Sequence, residues 1–154
     1  MIRFDKLTIK AQEAIQAAQE TAQKLNHQEV DAEHLLSALL QQPEGLVRPL
    51  LEKLGANPDT ILQALDGELN RRPQVHGIDS TQMYLGKAFR AAVDAAQGEA
   101  TKLKDQYVST EHLLLGIAEK TKLLQPHGVT SALILKALKE LRGTARVTDQ
   151  NPED

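Results

Sequence analysis

Apolar residues recur at steps of three and four along most of the chain. Ala11, Ala14, Ile15, Ala18, Ala22 and Leu25 share one face, which predicts a helix capped by the Thr8 hydroxyl and fading at Asn26 and His27. Asp31 is a good N-cap for a second helix with Leu35, Leu36, Leu39 and Leu40 inward, broken by Pro43-Glu44-Gly45. A short third helix is expected over 46–54, closed by Gly55 in a left-handed C-cap. Asn57-Pro58-Asp59 is a strong start signal for a fourth, which buries Ile61, Leu62, Leu65 and Leu69 and ends near Arg71 and Arg72, before Pro73. After a linker at 73–81 the pattern starts again. A fifth helix over 82–103 carries Leu85, Phe89, Ala92, Val93, Ala96 and Ala100 on one face; a sixth starts behind Ser109 with Leu113, Leu114 and Ile117. A short seventh holds Leu123 and Leu124, and an eighth runs from Thr130 or Ser131 to Arg142, where Gly143 stops it.

This recurrence is an internal duplication. Val30-Asp31-Ala32-Glu33-His34-Leu35-Leu36 reappears as Val108-Ser109-Thr110-Glu111-His112-Leu113-Leu114, a shift of 112 − 34 = 78 residues. The same shift carries Leu7 onto Leu85 and Ala17-Ala18-Gln19 onto Ala95-Ala96-Gln97. Farther on, Leu50-Leu51, Gly55 and Ile61-Leu62 fall on Leu123-Leu124, Gly128 and Ile134-Leu135 at a shift of 123 − 50 = 73, so the second copy is 78 − 73 = 5 residues shorter in one loop. The expected architecture is all-α: eight helices in two pseudo-two-fold related four-helix repeats, without a sheet. The first repeat spans 1–72, the linker 73–81 and the second repeat 82–142; residues 143–154 lack apolar periodicity and read as a flexible linker leading elsewhere.

At 154 residues and 41% hydrophobic, the chain can bury a real core; with 3% aromatics, that core must be built from Ala, Leu, Ile and Val. The absence of Cys excludes disulfides and thiolate metal sites. A net charge of −3 without a dense Lys/Arg run argues against nucleic acid as a partner. No stretch approaches a membrane span, and the N-terminus lacks a signal-peptide pattern, so a cytoplasmic protein with no membrane partner is expected.

The sequence shows no Gly-rich phosphate loop, no His-Glu-x-x-His and no Gly-x-Ser-x-Gly. His34 and His112 each open a mostly apolar helix beside a single Glu, too few groups for a metal site, and read as helix-start histidines satisfied by hydrogen bonds. Glu33 and Glu111 could pose as a catalytic pair; helix-dipole anchoring explains both without chemistry. Neither an enzymatic activity nor a cofactor or metal is expected of these residues.

The run Phe4 to Ala14, the paired Val-x-x-Glu-His-Leu-Leu motifs and Leu69-Asn70-Arg71-Arg72-Pro73-Gln74-Val75-His76-Gly77 resemble the N-terminal domain of Clp ATPases, the last run being similar to the ClpB branch of disaggregases. The resemblance covers residues 4–142. It implies a mobile domain that engages unfolded or aggregated polypeptides and passes them to the pore of a homohexamer. ATP and Mg would be bound by modules outside these residues, and cooperation with the DnaK chaperone system is implied as well. Carried over position by position, a polar patch falls on Thr8, Asp105 and Glu111, and an apolar groove between the repeats on Val93, Ala95, Ala96 and His112. Each has a plainer reading: Thr8 as an N-cap, Glu111 as a dipole partner, Asp105 as a loop acid. Met83 and Tyr84 are weaker candidates for exposed apolar contact. The alternative within the family is an adaptor-docking domain of a ClpA- or ClpC-like protease ATPase.

Overall fold

A computed structural model describes residues 3–143, 146–148 and 150. Among these, seven α-helices are found: α1 (Ile9–Lys24), α2 (Ala32–Gln41), α3 (Val47–Lys53), α4 (Pro58–Asn70), α5 (Lys87–Lys102), α6 (Thr110–Lys120) and α7 (Ser131–Arg142). Three 3-10 turns cover Phe4–Lys6, Ser80–Gln82 and Gln125–His127, and two short strands, β1 (Glu29–Val30) and β2 (Tyr84–Leu85), complete the set. The start signals act as expected. Thr8 accepts a hydrogen bond from the Ala11 N–H, and Asn57 accepts from Asp59 and Thr60 ahead of Pro58. Gly55 and Gly128, equivalent in the duplication, both turn the chain with positive φ, 83° and 75°.

The repeats interlock. β1 pairs parallel with β2, Glu29 opposite Tyr84 and Val30 opposite Leu85, while Leu7 bridges Val108 in parallel. The 78-residue shift turns Leu7 into Leu85 and Val30 into Val108. The two pairings are therefore one contact made twice with the repeats exchanged. The same exchange relates the Gly86 N–H, 2.7 Å from the Val30 carbonyl, to the Thr8 N–H, 2.9 Å from the Val108 carbonyl. Each repeat's entry segment is stitched to the other repeat, and neither buries its core alone. The core centres on α2 and α6, which are buried around most of their circumference by Leu35, Leu36, Leu39 and Leu40 and by Leu113, Leu114, Leu115 and Ile117.

Three expectations change. Helices number seven rather than eight among the described residues, because the stretch around Leu123 and Leu124 forms only the 3-10 turn Gln125–His127. The five-residue deletion removes the length that lets α3 form in the first copy. A small two-stranded sheet is present where none was expected. It takes Tyr84 and Leu85 out of the predicted fifth helix, so α5 begins at Lys87 behind Gly86. An added Cβ at Gly86 would lie 2.8 Å from Asp31 Oδ1. That oxygen accepts from the Ala32 N–H at 2.9 Å and from the Phe89 N–H at 3.2 Å, so one carboxylate of the first repeat caps a helix in each repeat.

The tail expected as a linker is tied down where it is described. Val147 is buried, its carbonyl accepts from the Gln106 N–H at 2.7 Å, and the Gln150 carbonyl accepts from the Ile9 N–H at 2.8 Å. Residues 144, 145, 149 and 151–154 of that stretch lie outside the described residues.

Candidate functional site

The second repeat's polar cluster is built around Asp105. Asp105 Oδ2 lies 2.7 Å from His112 Nε2, and Oδ1 takes Arg142 at 2.5 Å and the Val147 N–H at 2.7 Å. His112 Nδ1 accepts from the Ser109 N–H at 2.8 Å. That bond fixes the tautomer: the proton sits on Nε2 and is donated to Asp105. Burial pushes the Asp105 carboxyl up, but the hydrogen bonds from Arg142, Val147 and His112, with the Arg142 charge, outweigh it and hold the pKa below the usual value.

The first repeat keeps the same scaffold with different chemistry. His34 Nδ1 accepts from the Asp31 N–H at 2.9 Å, as its counterpart does, but its Nε2 meets His27 Nδ1 at 2.9 Å. His27 stands at the position of Asp105 (27 + 78 = 105). Both rings are buried. Burial, then His27, then Arg72 lower the His34 pKa to about 4, against smaller opposing effects of Asp31. Burial and Arg72 lower His27 as well, opposed by a hydrogen bond to the Leu69 backbone. Both folded values lie below the unfolded value of 6.5, so the unfolded chain binds more protons as the pH drops. The pair's contribution is full above the unfolded value and fades as the pH falls towards 4. Stability measured by urea denaturation is expected to drop by about 2 kcal/mol between pH 7 and pH 4.5 from this pair. His27→Asp, which writes the second repeat's pairing into the first, should remove most of that loss. Asp105 contributes in a separate window, because its own stabilisation is lost only below the ordinary aspartate range.

Glu33 and Glu111 also diverge. Arg72, at the end of the first repeat, pairs with Glu33 and lies 3.9 Å from Asp31. Glu111 sits in the first turn of α6 without an equivalent partner among the described residues.

Of the candidate residues, Thr8, Val93, Ala96 and His112 are fully buried and Asp105 and Glu111 nearly so, leaving only Ala95 partly open. Thr8 and the Val108–Glu111 segment are brought together by the Leu7 bridge, and Asp105 and His112 meet directly. Val93 and Ala96 do not line an open groove. The Ala-rich face of α5 is used instead for close packing on α6, where an added Cβ on Gly116 would lie 2.0 Å from the Ala92 carbonyl oxygen. Exposed apolar surface lies elsewhere, on Phe4 (48% exposed), Ile9 (38%) and Tyr84 (55%). Phe4 and Ile9 were missed because each reads as part of a helix-start motif.

The apolar surface at Tyr84 belongs to a cleft of about 290 Å³ between α1 of the first repeat and the entry strand of the second, lined by Gln16, Gln19, Glu20, Gln23, Val30, Ser80, Met83, Tyr84 and Leu85. The pseudo-two-fold does not reproduce it. The 78-residue shift puts Asp94, Gly98 and Thr101 where α1 has Gln16, Glu20 and Gln23, and Lys6 corresponds to Tyr84.

The fold and the cluster define the class: a duplicated, interlocked helical module whose two central helices each open on a Glu-His pair. The family model described as the Clp repeat (R) N-terminal domain matches residues 6–143, and the chain belongs to that family. It is 39% identical over 97% of its length to the chaperone protein ClpB of Nitratidesulfovibrio vulgaris and 41% identical over 98% to that of Rhodopirellula baltica. It spans only 18% and 17% of the length of those two relatives. Among solved structures, the Hsp104 N-terminal domain of Candida albicans superposes with a TM-score of 0.83 over 97% of this chain and 99% of that one, at 19% identity. The N-terminal domain of the ClpV1 ATPase of E. coli superposes with a TM-score of 0.76 over 97% and 92%, at 24% identity. These two likenesses carry the fold. Among the described residues, no helix is long and apolar enough to cross a membrane.

Proposed function

We propose that this chain is the polypeptide-engaging N-terminal domain of a ClpB-like disaggregase, taking unfolded or aggregated segments into the cleft between its repeats. In this reading, ATP hydrolysis with its magnesium, the homohexamer and its pore, and cooperation with the DnaK system belong to the rest of a longer chain. The observation that carries it is the amphipathic cleft. Met83 and the face of Tyr84 offer adaptable apolar contact, while Gln16, Gln19 and Gln23 can each donate to and accept from a peptide backbone whatever its side chains. Such a surface accepts many sequences and suits transient handling. Thr8, Val93, Ala96, Asp105 and His112 serve it by fixing α5, α6 and the entry segment. The partly open Ala95, with the exposed Phe4 and Ile9, adds contact surface, while the buried Glu111 belongs to the first turn of α6.

Tyr84 is more than half exposed, so Tyr84→Ser should leave the fold intact. It is expected to weaken binding of a permanently unfolded polypeptide, followed by fluorescence anisotropy, at least fivefold. Unchanged affinity would mean that the polypeptide does not bind in this cleft.

A further inference from the structure

At the C-terminal ends of α5 and α7 lies a cavity of about 360 Å³ lined by Lys102, Leu103, Lys104, Leu138, Lys139, Arg142, Gly143 and Arg146. Five of these eight residues are cationic and none is acidic, in a chain whose net charge is −3. Arg142 is held in place by Asp105, and Lys102 lies 3.3 Å from Glu99. Helix dipoles favour basic residues in the last turns of α5 and α7, which accounts for Lys102, Lys139 and Arg142. They do not require a lysine at position 104. Lys104 has φ 62°, a left-handed conformation that a side chain of this kind adopts at a cost. Its repeat counterpart, 104 − 78 = 26, is Asn26 with φ 61°, the residue that tolerates this conformation best after glycine. The second copy thus keeps a cation at a strained position on the rim of a basic cavity.

We infer that this cavity docks an acidic segment of a polypeptide. Its floor is apolar, formed by Leu103 and Leu138, and its rim is cationic. A bare oligophosphate would leave the floor unused. A segment with a leucine-like side chain flanked by Asp or Glu fills the floor and places carboxylates beside Lys104 and Lys139, while Arg142 and Lys102 stay with Asp105 and Glu99. The site rests on and deepens the reading of the domain as a polypeptide-binding module: beside the glutamine-rich, unselective cleft at Tyr84, it selects acidic segments.

The test titrates the domain with a fluorescent peptide of alternating Asp and Glu around a central Leu. Controls are the same peptide with Asn and Gln replacing the acids, and tripolyphosphate. The acidic peptide is expected to bind, with affinity falling steeply as salt rises, and the amide peptide to bind at least tenfold more weakly. Lys104→Asn together with Lys139→Gln should weaken the acidic peptide at least tenfold while leaving unfolding unchanged or improved, since Asn relaxes position 104. Equal binding of both peptides, no effect of the double variant, or binding of tripolyphosphate alone would overturn the inference. An uncharged unfolded polypeptide, measured in parallel, reports on the Tyr84 cleft. Loss of the acidic peptide with that binding retained strikes this site only, and the reverse strikes the cleft.

Discussion

Gly116→Ala is expected to destabilise the domain by about 3 kcal/mol, although alanine is the better helix former by about 1 kcal/mol. The added methyl would lie 2.0 Å from the Ala92 carbonyl oxygen, 2.9 Å from its carbon and 3.1 Å from the Ala96 nitrogen. All three are backbone atoms of α5, so no side-chain rotation relieves the overlap and the helices must separate. Separation opens the contact that buries Phe89, Val93 and Ala96. The equivalent of Gly116 is Ala38 (116 − 78 = 38), so the first repeat already carries a methyl at this position. Thermal unfolding should show a fall of about 6–12 °C for Gly116→Ala. A change within 2 °C, about 0.5–1 kcal/mol, would mean that α5 and α6 are not packed this closely.

Asp105→Ala is expected to cost about 3–4 kcal/mol in urea denaturation. The carboxylate is the shared acceptor for His112, Arg142 and the Val147 N–H, and its side chain is wholly buried. Its loss deprives three donors of one acceptor and leaves an arginine whose charge it had neutralised. Because Val147 is one of the three, hydrogen exchange at the Val147 and Gln106 amides should also rise well beyond the global change. Arg142→Ala removes one of the three donors to Asp105 and leaves the carboxylate with the other two, so it should cost less than Asp105→Ala. Equal costs would mean that the His112 and Val147 bonds contribute little.

The duplication, the boundaries of α2, α4 and α7, the start of α6 and the helix-start histidines were legible because local rules decide them. Asp31, Asn57-Pro58 and Gly143 each punctuate the chain through their own backbone chemistry. The misreadings have tertiary causes. Two-residue strands are too short to show a period of two, and Tyr84-Leu85 is drawn from a helical pattern only by pairing with Glu29-Val30 across 55 residues (84 − 29). Val93 and Ala96 sit on a face that is apolar whether it meets solvent or another helix, and Gly116 in α6, far along the chain, decides that it meets a helix. Asp105 read as a loop acid because its partners, His112, Arg142 and Val147, converge only once α7 and the tail have folded back. The divergence of His27 from Asp105 is visible in the sequence, yet it acquires meaning only when each is seen against the same histidine Nε2.

In the proposed function, unfolded polypeptide enters between the repeats at the cleft of Tyr84. An amide-resolved NMR titration with a permanently unfolded polypeptide, and with the same protein folded as control, tests it most directly. The expected result is saturable shifts on Gln16, Gln19, Gln23 and the Met83–Leu85 segment, extending to the exposed Phe4 and Ile9, with the unfolded form only, and their loss in Tyr84→Ser. Shifts given equally by the folded control, or none in this cleft at millimolar client, would contradict it.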